Sequence, residues 1–369
     1  MATLWQRITG QVHEERAAQP TIPLRSATAV TADTALTLSA VYRAVQIIAT
    51  PISKMDMRTY RYATGLEQII ENPMLVNKPS LLASRRDFLF QTVVSLALEG
   101  NAFWLKTYGS NGQVNNLTLL PAAGVTVAWV DPNDITKGVW YAYMGRNLGA
   151  NEVEHMKLFS RPGQIRGVSP IESCREDVRA ALDLRHYSSN WFTSAGIPTG
   201  ILKTNAMLTQ EDADTVTNNW HNKQQSRQVA VLGNGFDYQA IALSPRDALF
   251  TEIQDQAVQM IARLFGIPAR LLLTTVPGST DTYTNLQDEN QVFYRHTLMA
   301  YTDAITDALS NCLPRGTRVE FDFEHLFKSD VAARYNYYKV GIEAGFLTPA
   351  YVQAKEGIAE EIASGNPTD

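Results

Sequence analysis

The sequence predicts a helix-rich α+β fold in which two long helices bracket a small α/β module. Three observations lead there. Apolar residues recur at helical spacing from Ser169 to Ala195 and again from Ser244 to Phe265. Between them lies a strand–helix–strand–strand pattern, a unit of about 45 residues that is marginal as an isolated fold. Upstream, residues 101–160 hold several short runs of strand character with turn signals between them.

The elements follow in chain order. Residues 1–34 are polar and rich in Ala and Thr and read as an N-terminal arm. A helix is expected over Ser39–Thr50, with Val41, Ala44, Val45 and Ile48 on one face and Pro51 as its stop. The next has Ser84 as N-cap, Phe88, Leu89, Val93 and Leu96 inside, and Gly100 at its end. Residues 101–120 read as two strands joined by a hairpin at Gly109-Ser110-Asn111-Gly112. "GVTVAWV" extends that sheet, and "GVWYAYMG" and "EVEHMKLFS" add further strands.

From Ser169, an N-cap followed by Pro170, one helix of about 26 residues makes a rod of roughly 40 Å. Its stripe is Ile171, Cys174, Val178, Ala181 and Leu182. Gly196-Ile197-Pro198 ends it. The small module then offers "TGILK" as a strand, a helix from Gln210 capped by Thr209, and strands "RQVAVL" and "FDYQAIAL". The second rod has Ser244, Pro245 and Asp247 as its capping sequence and Leu249, Ile253, Ala257, Met260 and Leu264 as its stripe. Gly266 with Ile267 fits a Schellman stop.

A polar loop follows: Thr274, Thr275, Val276, Pro277, Gly278, Ser279, Thr280, Asp281, Thr282, Tyr283, Thr284 and Asn285. It holds five threonines and a single charge. A third long helix, Leu286–Asn311, turns Phe293, Thr297, Ala300, Ala304, Ile305, Ala308 and Cys312 inward. "RVEFDFEHLF" is an alternating strand, and the tail gives two helices broken at Gly345–Pro349.

Composition limits the function classes. The chain has 369 residues, 45% hydrophobic and 19% charged, with net charge −5, as expected of a soluble globular protein without a basic nucleic-acid footprint. Two cysteines give no disulfide framework and point to a reducing compartment. No apolar run has the length of a membrane span, and the first twenty residues lack the apolar core of a signal peptide.

No catalytic motif emerges. There is no phosphate-binding Gly-Lys loop, "GVSPI" lacks the second glycine of a nucleophile elbow, and the six histidines show no metal-ligand spacing. Glu320, Asp322 and Glu324 alternate on one strand face and are the candidates for a divalent-metal nuclease; acids on the wet face of a half-exposed strand already account for the alternation without a metal. No cofactor and no metal are expected. Charge is more informative. No lysine occurs between Gln224 and Phe327, and residues 246–311 hold four arginines against eight acids.

The segments "LSAVYRAVQIIATPIS", "NPMLVNKPS", "DFLFQTVVSLALEGNAFWLK", "GQVNNLTLLPAAGVTV", "EHMKLFSRPGQIRGVSPIE", "FTSAGIPTGIL" and "MIARLFGIPARLLL" occur in a characteristic order and spacing. In these, from about Leu36 to Ile358, the chain resembles the portal proteins of long-tailed bacteriophages and related gene-transfer particles. The resemblance implies a ring of identical subunits, usually dodecameric, at one capsid vertex. Double-stranded DNA would pass through its centre, and the major capsid protein, the terminase large subunit and a head–tail adaptor would be partners.

It implies a wing (35–168), a stem helix (169–196), a clip (197–243), a second stem helix (244–270), a tunnel loop (271–285), a long helix with the rest of the wing (286–328) and a crown (329–369). Thr274–Asn285 would line the channel. Trp220, Asn234 and Phe236 would be clip residues facing a partner. No membrane partner and no enzymatic activity are implied, and the location would be the virion, after assembly in the host cytoplasm. One departure stands out: where family members often carry Asn-Glu after the Gly-x-Leu-Thr turn, this chain has Pro349-Ala350. The nuclease and a non-viral stalk-and-tip scaffold are the competing readings.

Overall fold

The computed structural model describes residues 29–63, 66–193, 200–204, 209–225, 235–240, 250–273, 289, 291–323 and 331–356. By packing, the chain divides into two units, Met1–Arg43 with Ile171–Ser279, and Ala44–Pro170 with Thr280–Asp369. The expected 1–34 arm is described only from residue 29, and its end already belongs to a helix. This helix, α1 (Ala32–Leu36), carries a capping box between Thr31 and Thr34.

α2 (Ser39–Lys54) runs through Pro51 instead of stopping there. Proline removes one amide donor, but the turn beyond it buries Ile52 and Met55, and the Met55 amide still reaches the Pro51 carbonyl at 3.1 Å. The division between the units falls inside this helix.

In the second unit, β1 (Met57–Ala63) lies between β2 (Leu66–Ile70) and β11 (Thr317–Phe321) in an antiparallel sheet. The short α3 (Met74–Asn77) precedes α4 (Arg85–Glu99), which begins as the sequence foretold: the Ser84 hydroxyl accepts from the Asp87 amide at 3.1 Å. It ends at Gly100, whose φ of +66° is left-handed.

β3 (Asn101–Tyr108) is central between β4 (Val114–Leu120) and β8 (Val153–Lys157). The expected extension of this sheet by "GVTVAWV" is corrected. β5 (Thr126–Trp129) pairs instead with β6 (Val139–Tyr143), and β6 with β7 (Arg146–Leu148), as a separate three-stranded sheet. The two sheets share one core of Phe103, Leu120, Val125, Val127, Tyr141, Leu148 and Val153. Successive side chains of a strand point to opposite faces, so Trp104 turns the other way, onto Phe88 of α4 with ring centroids 5.1 Å apart. Asn101 through Trp104 are buried because both faces of β3 are covered.

The third long helix is not uniform. Its described part begins near residue 291, passes through a π-turn at Tyr294–Leu298 and continues as α9 (Met299–Asn311). A π-turn inserts one residue, so the buried set shifts from Phe293 and Thr297 to Leu298, Tyr301, Thr302, Ile305, Ala308, Leu309 and Cys312. Ala300, expected inside, is exposed for that reason. α9 packs on β11, where the Val319 amide donates to the Ser310 hydroxyl at 3.0 Å. The tail forms α10 (Val331–Glu343) and α11 (Pro349–Glu356).

The single rod expected from Ser169 is two helices, α5 (Pro170–Ser173), at whose start the first unit resumes, and α6 (Arg175–Thr193). The Cys174 carbonyl accepts from the amides of both Asp177 and Val178. Glu176 and Asp177 occupy the first turn of α6, where carboxylates suit a helix start. β9 (Gly200–Thr204) and β10 (Phe236–Ala240) form an antiparallel pair, and α7 (Gln210–Gln225) follows Thr209, whose hydroxyl accepts from the Asp212 amide at 3.2 Å. The strand expected at "RQVAVL" and the Ser244 cap lie outside the described residues.

α8 (Phe250–Phe265) packs on α6. It buries Ile261, Ala262 and Phe265, so its inner face is rotated from the expected stripe and leaves Ile253 exposed. Among the described residues no helix is long and apolar enough to cross a membrane.

Candidate functional site

The polar loop, Thr274–Asn285, lies outside the described residues, but both approaches to it are defined. α8 ends in a Schellman motif: Ile267 donates to the Ala262 carbonyl at 2.9 Å and Gly266, at φ +64°, to Arg263 at 3.2 Å. Pro268 starts a 3₁₀ turn over Ala269–Leu272, and Leu273 closes it in the left-handed region at φ +59°. On the far side stands the π-turn, with Arg295 and His296 exposed and Phe293 buried. Farther along α9, burial first and the nearby Asp307 second raise the Asp303 carboxyl above its usual range.

Of the expected partner-facing residues, Trp220 is half-buried on α7, in line with Ala213 and Val216. Phe236 opens β10 opposite Thr204, but its side chain and all of Asn234 lie outside the described residues. How these three lie relative to one another falls outside the described residues.

Glu320 and Asp322, weighed for a metal, each meet an arginine. Arg58 donates to Asp322 at 2.5 Å, and Arg318 pairs with Glu320 at 2.8 Å and also with Glu67. Glu324 lies outside the described residues, and among the described residues no cluster of His, Cys, Asp and Glu is placed to hold a metal ion.

Two features escaped the sequence. The first is a cleft of about 510 Å³ in the first unit, between the start of α2, α6 and α8, with Leu38, Ala181, Leu184, Ala257, Val258 and Ile261 on its walls. Arg185, at its edge, donates to the Thr37 carbonyl at 2.6 Å.

The second is a polar knot where the chain leaves the β3 sheet for α5. The Asn101 amide group donates to the carbonyls of Glu99 (2.7 Å) and Gly167 (2.9 Å). Its oxygen accepts from the Gly167 amide (2.7 Å) and faces His155 Nε2 at 3.0 Å. Because that oxygen can only accept, His155 carries its proton on Nε2. The ring stacks on Phe103 at 4.2 Å and meets Tyr141 edge-on. Burial, reinforced by Lys157 and Arg166, pushes the His155 pKa down to about 3.

Arg166 lies over Phe103 and donates to the carbonyls of Val125 and Ala122. Ser169, expected as an N-cap, donates its hydroxyl to the Leu98 carbonyl at 2.8 Å. The exiting segment is so close to Gly100 that a Cβ there would stand 2.1 Å from the Val168 carbonyl oxygen.

Comparison with known proteins completes the picture. Residues 39–357 match the family profile described as "Phage portal protein". A probable portal protein of Streptomyces phage phiC31 is 25% identical over 389 residues, covering 95% of this chain and 84% of its own. The portal protein of Enterobacteria phage HK97 is 25% identical over 333 residues, covering 85% and 77%. Among solved structures, an HK97-family phage portal protein from Corynebacterium diphtheriae has the same fold, with TM-score 0.60 at 16% identity, covering 82% of this chain and 99% of that one. A chain from the neck of a native gene transfer agent particle, computed with C12 symmetry, has TM-score 0.59 at 19% identity, covering 88% and 92%. With its open sheets, its mixed helices and a profile match along most of its length, this chain belongs to the phage portal protein family.

Proposed function

We propose that copies of this chain assemble into a closed ring, a dodecamer, at one vertex of a phage-type capsid, and that double-stranded DNA enters and leaves through its centre. The observation that carries this is the family match over residues 39–357. The fold shared with a chain from the neck of a native gene transfer agent particle supports a place in such a neck. In this reading residues 35–168 and 286–328 form the wing, the helices within 169–196 and 244–270 the stem, 197–243 the clip and 329–369 the crown. The clip is the docking place for the terminase large subunit and later for a head–tail adaptor, with Trp220 as a contact. Trp220→Ala is expected to weaken that docking while leaving the ring intact; loss of the ring would make Trp220 a structural residue instead.

The ring does no chemistry of its own; the terminase supplies the power for packaging. Its place is the virion neck, after assembly in the host cytoplasm. Residues 274–285 line the narrowest point of the channel. Lysine and arginine contacts to phosphate give affinity, which a sliding duplex experiences as friction. A lysine-free stretch with an excess of acids keeps the backbone centred, and Thr, Ser and Gly offer only weak, exchangeable contacts.

The test is electron microscopy of the purified chain. Rings with a hole wide enough for a duplex are expected. A monomer or dimer at all concentrations would overturn the proposal, and a ring with residues 274–285 on its outer rim would overturn their role alone.

A further inference from the structure

α10 and α11 fold back on each other through one seam. Glu356 accepts from Arg334 and from the Tyr338 hydroxyl, both at 2.9 Å, and the Phe346 and Leu347 amides donate to the Gly341 carbonyl at 3.2 and 3.1 Å. At about 100° per residue, Arg334, Tyr338 and Gly341 share one side of α10, the side that faces α11. Asn336, Lys339 and Glu343 are exposed on the side opposite, where Lys339 and Glu343 approach to 3.9 Å.

The two remaining flanks are apolar and open to water. Tyr335 and Ile342, 46% and 36% exposed, lie on one side of the seam. Tyr337 and Val340, 61% and 54% exposed, lie on the other. On the helical wheel the two flanks are about 180° apart.

Exposed apolar side chains grouped on a helix flank, with polar residues beside them, mark a surface for contact with another chain. One globular partner covers one side of a helix, and a twofold pair joins the same flank to itself, so either would leave the other flank wet. Two opposed flanks suit a head-to-tail contact, and such contacts close into a ring when the rotation closes. The tyrosines fit this use, since they tolerate water before assembly and give a large contact area after it. We infer that α10 is a contact between neighbouring subunits, in which the Tyr337–Val340 flank of one copy packs against the Tyr335–Ile342 flank of the next. This rests on the ring proposed above. Four side chains fall well short of the roughly 800 Å² per partner of a stable interface, so other elements carry ring closure and α10 reinforces it.

The test is directional cross-linking of the full-length chain. Cys174, half-buried, is first replaced in a Cys174→Ser background; Cys312 stays, because burial, with Glu154 nearby, pushes its thiol up to about 12 and keeps it unreactive. Val340→Cys and Ile342→Cys are then made singly and together and treated with a short bismaleimide. The double variant is expected to give a ladder of covalent multimers on a denaturing gel, and each single variant only monomers. Imaging of the same samples separates the two claims. Rings without a ladder would overturn this contact and leave the ring standing. Samples with neither ring nor ladder would remove the ring reading and this contact with it. Dimers from either single variant would show a twofold contact and overturn the head-to-tail arrangement.

Discussion

Lowering the pH from 7.5 to 5.0 is expected to cost this fold about 2 kcal/mol through one side chain, His155. In the unfolded chain its imidazole titrates near the ordinary value of 6.5, whereas in the folded chain burial and the nearby Lys157 and Arg166 push it down to about 3. The folded state thus holds a neutral ring across a range in which the unfolded state takes up a proton. The stability this gives is complete above pH 6.5 and is lost as pH falls from there toward 3. Each unit of pH inside the window is worth about 1.4 kcal/mol, and pH 5.0 lies 1.5 units below 6.5. Carboxylates contribute their own pH dependence, so the measurement is a difference. Guanidinium unfolding of the parent and of His155→Gln is compared at both pH values and at fixed chain concentration. Glutamine keeps an N–H for Asn101 but does not titrate. The parent should lose about 2 kcal/mol more than the variant on acidification. Equal losses would mean that the folded protein accommodates the imidazolium, and the burial argument would fail.

Three further expectations follow from the packing. Thr92→Val removes the acceptor 3.0 Å from the buried Trp104 indole N–H, and an unsatisfied buried donor costs about 1–3 kcal/mol in chemical denaturation, whereas Thr92→Ser should cost clearly less. Gly100→Ala combines a left-handed backbone with a Cβ placed 2.1 Å from a carbonyl oxygen, so a loss of at least about 3 kcal/mol is expected, and a near-neutral result would refute the close approach. Deleting exposed His296 should turn the π-turn into ordinary α-helix while keeping Phe293 and Leu298 on one face. Its melting temperature should stay near that of the parent, whereas deleting Asp303 from the regular α9 should collapse it; the reverse order would refute the register argument.

What the sequence disclosed was mostly local. The caps at Ser84 and Thr209 and the glycine stops at Gly100 and Gly266 are written in adjacent residues, and the structure has them. The pairing of β1 with β11 joins residues more than 250 positions apart, and no local pattern encodes it. The split into two sheets was missed for the same reason: alternation identifies strands but not their neighbours. Pro51 was misleading because the apolar side chains beyond it outweigh one lost hydrogen bond. The break at Cys174 was legible after all, in the acidic pair Glu176-Asp177 that starts a helix, but the continuous apolar stripe masked it. The flanks of α10 escaped because opposed apolar sides cancel as a directional signal. The loop at 274–285 was read from composition alone.

Asn101 has no understudy. Its side chain spends two donors and two acceptor positions on four groups of three residues, Glu99, His155 and, twice, Gly167, which is all that a carboxamide possesses. Aspartate would forfeit both donors, serine would be too short, and glutamine would bring the right atoms one methylene too far. In a library of every substitution at this position, scored for soluble protein, asparagine should stand alone. A single amide thus decides whether the strand that enters this sheet and the segment that leaves it share one anchorage.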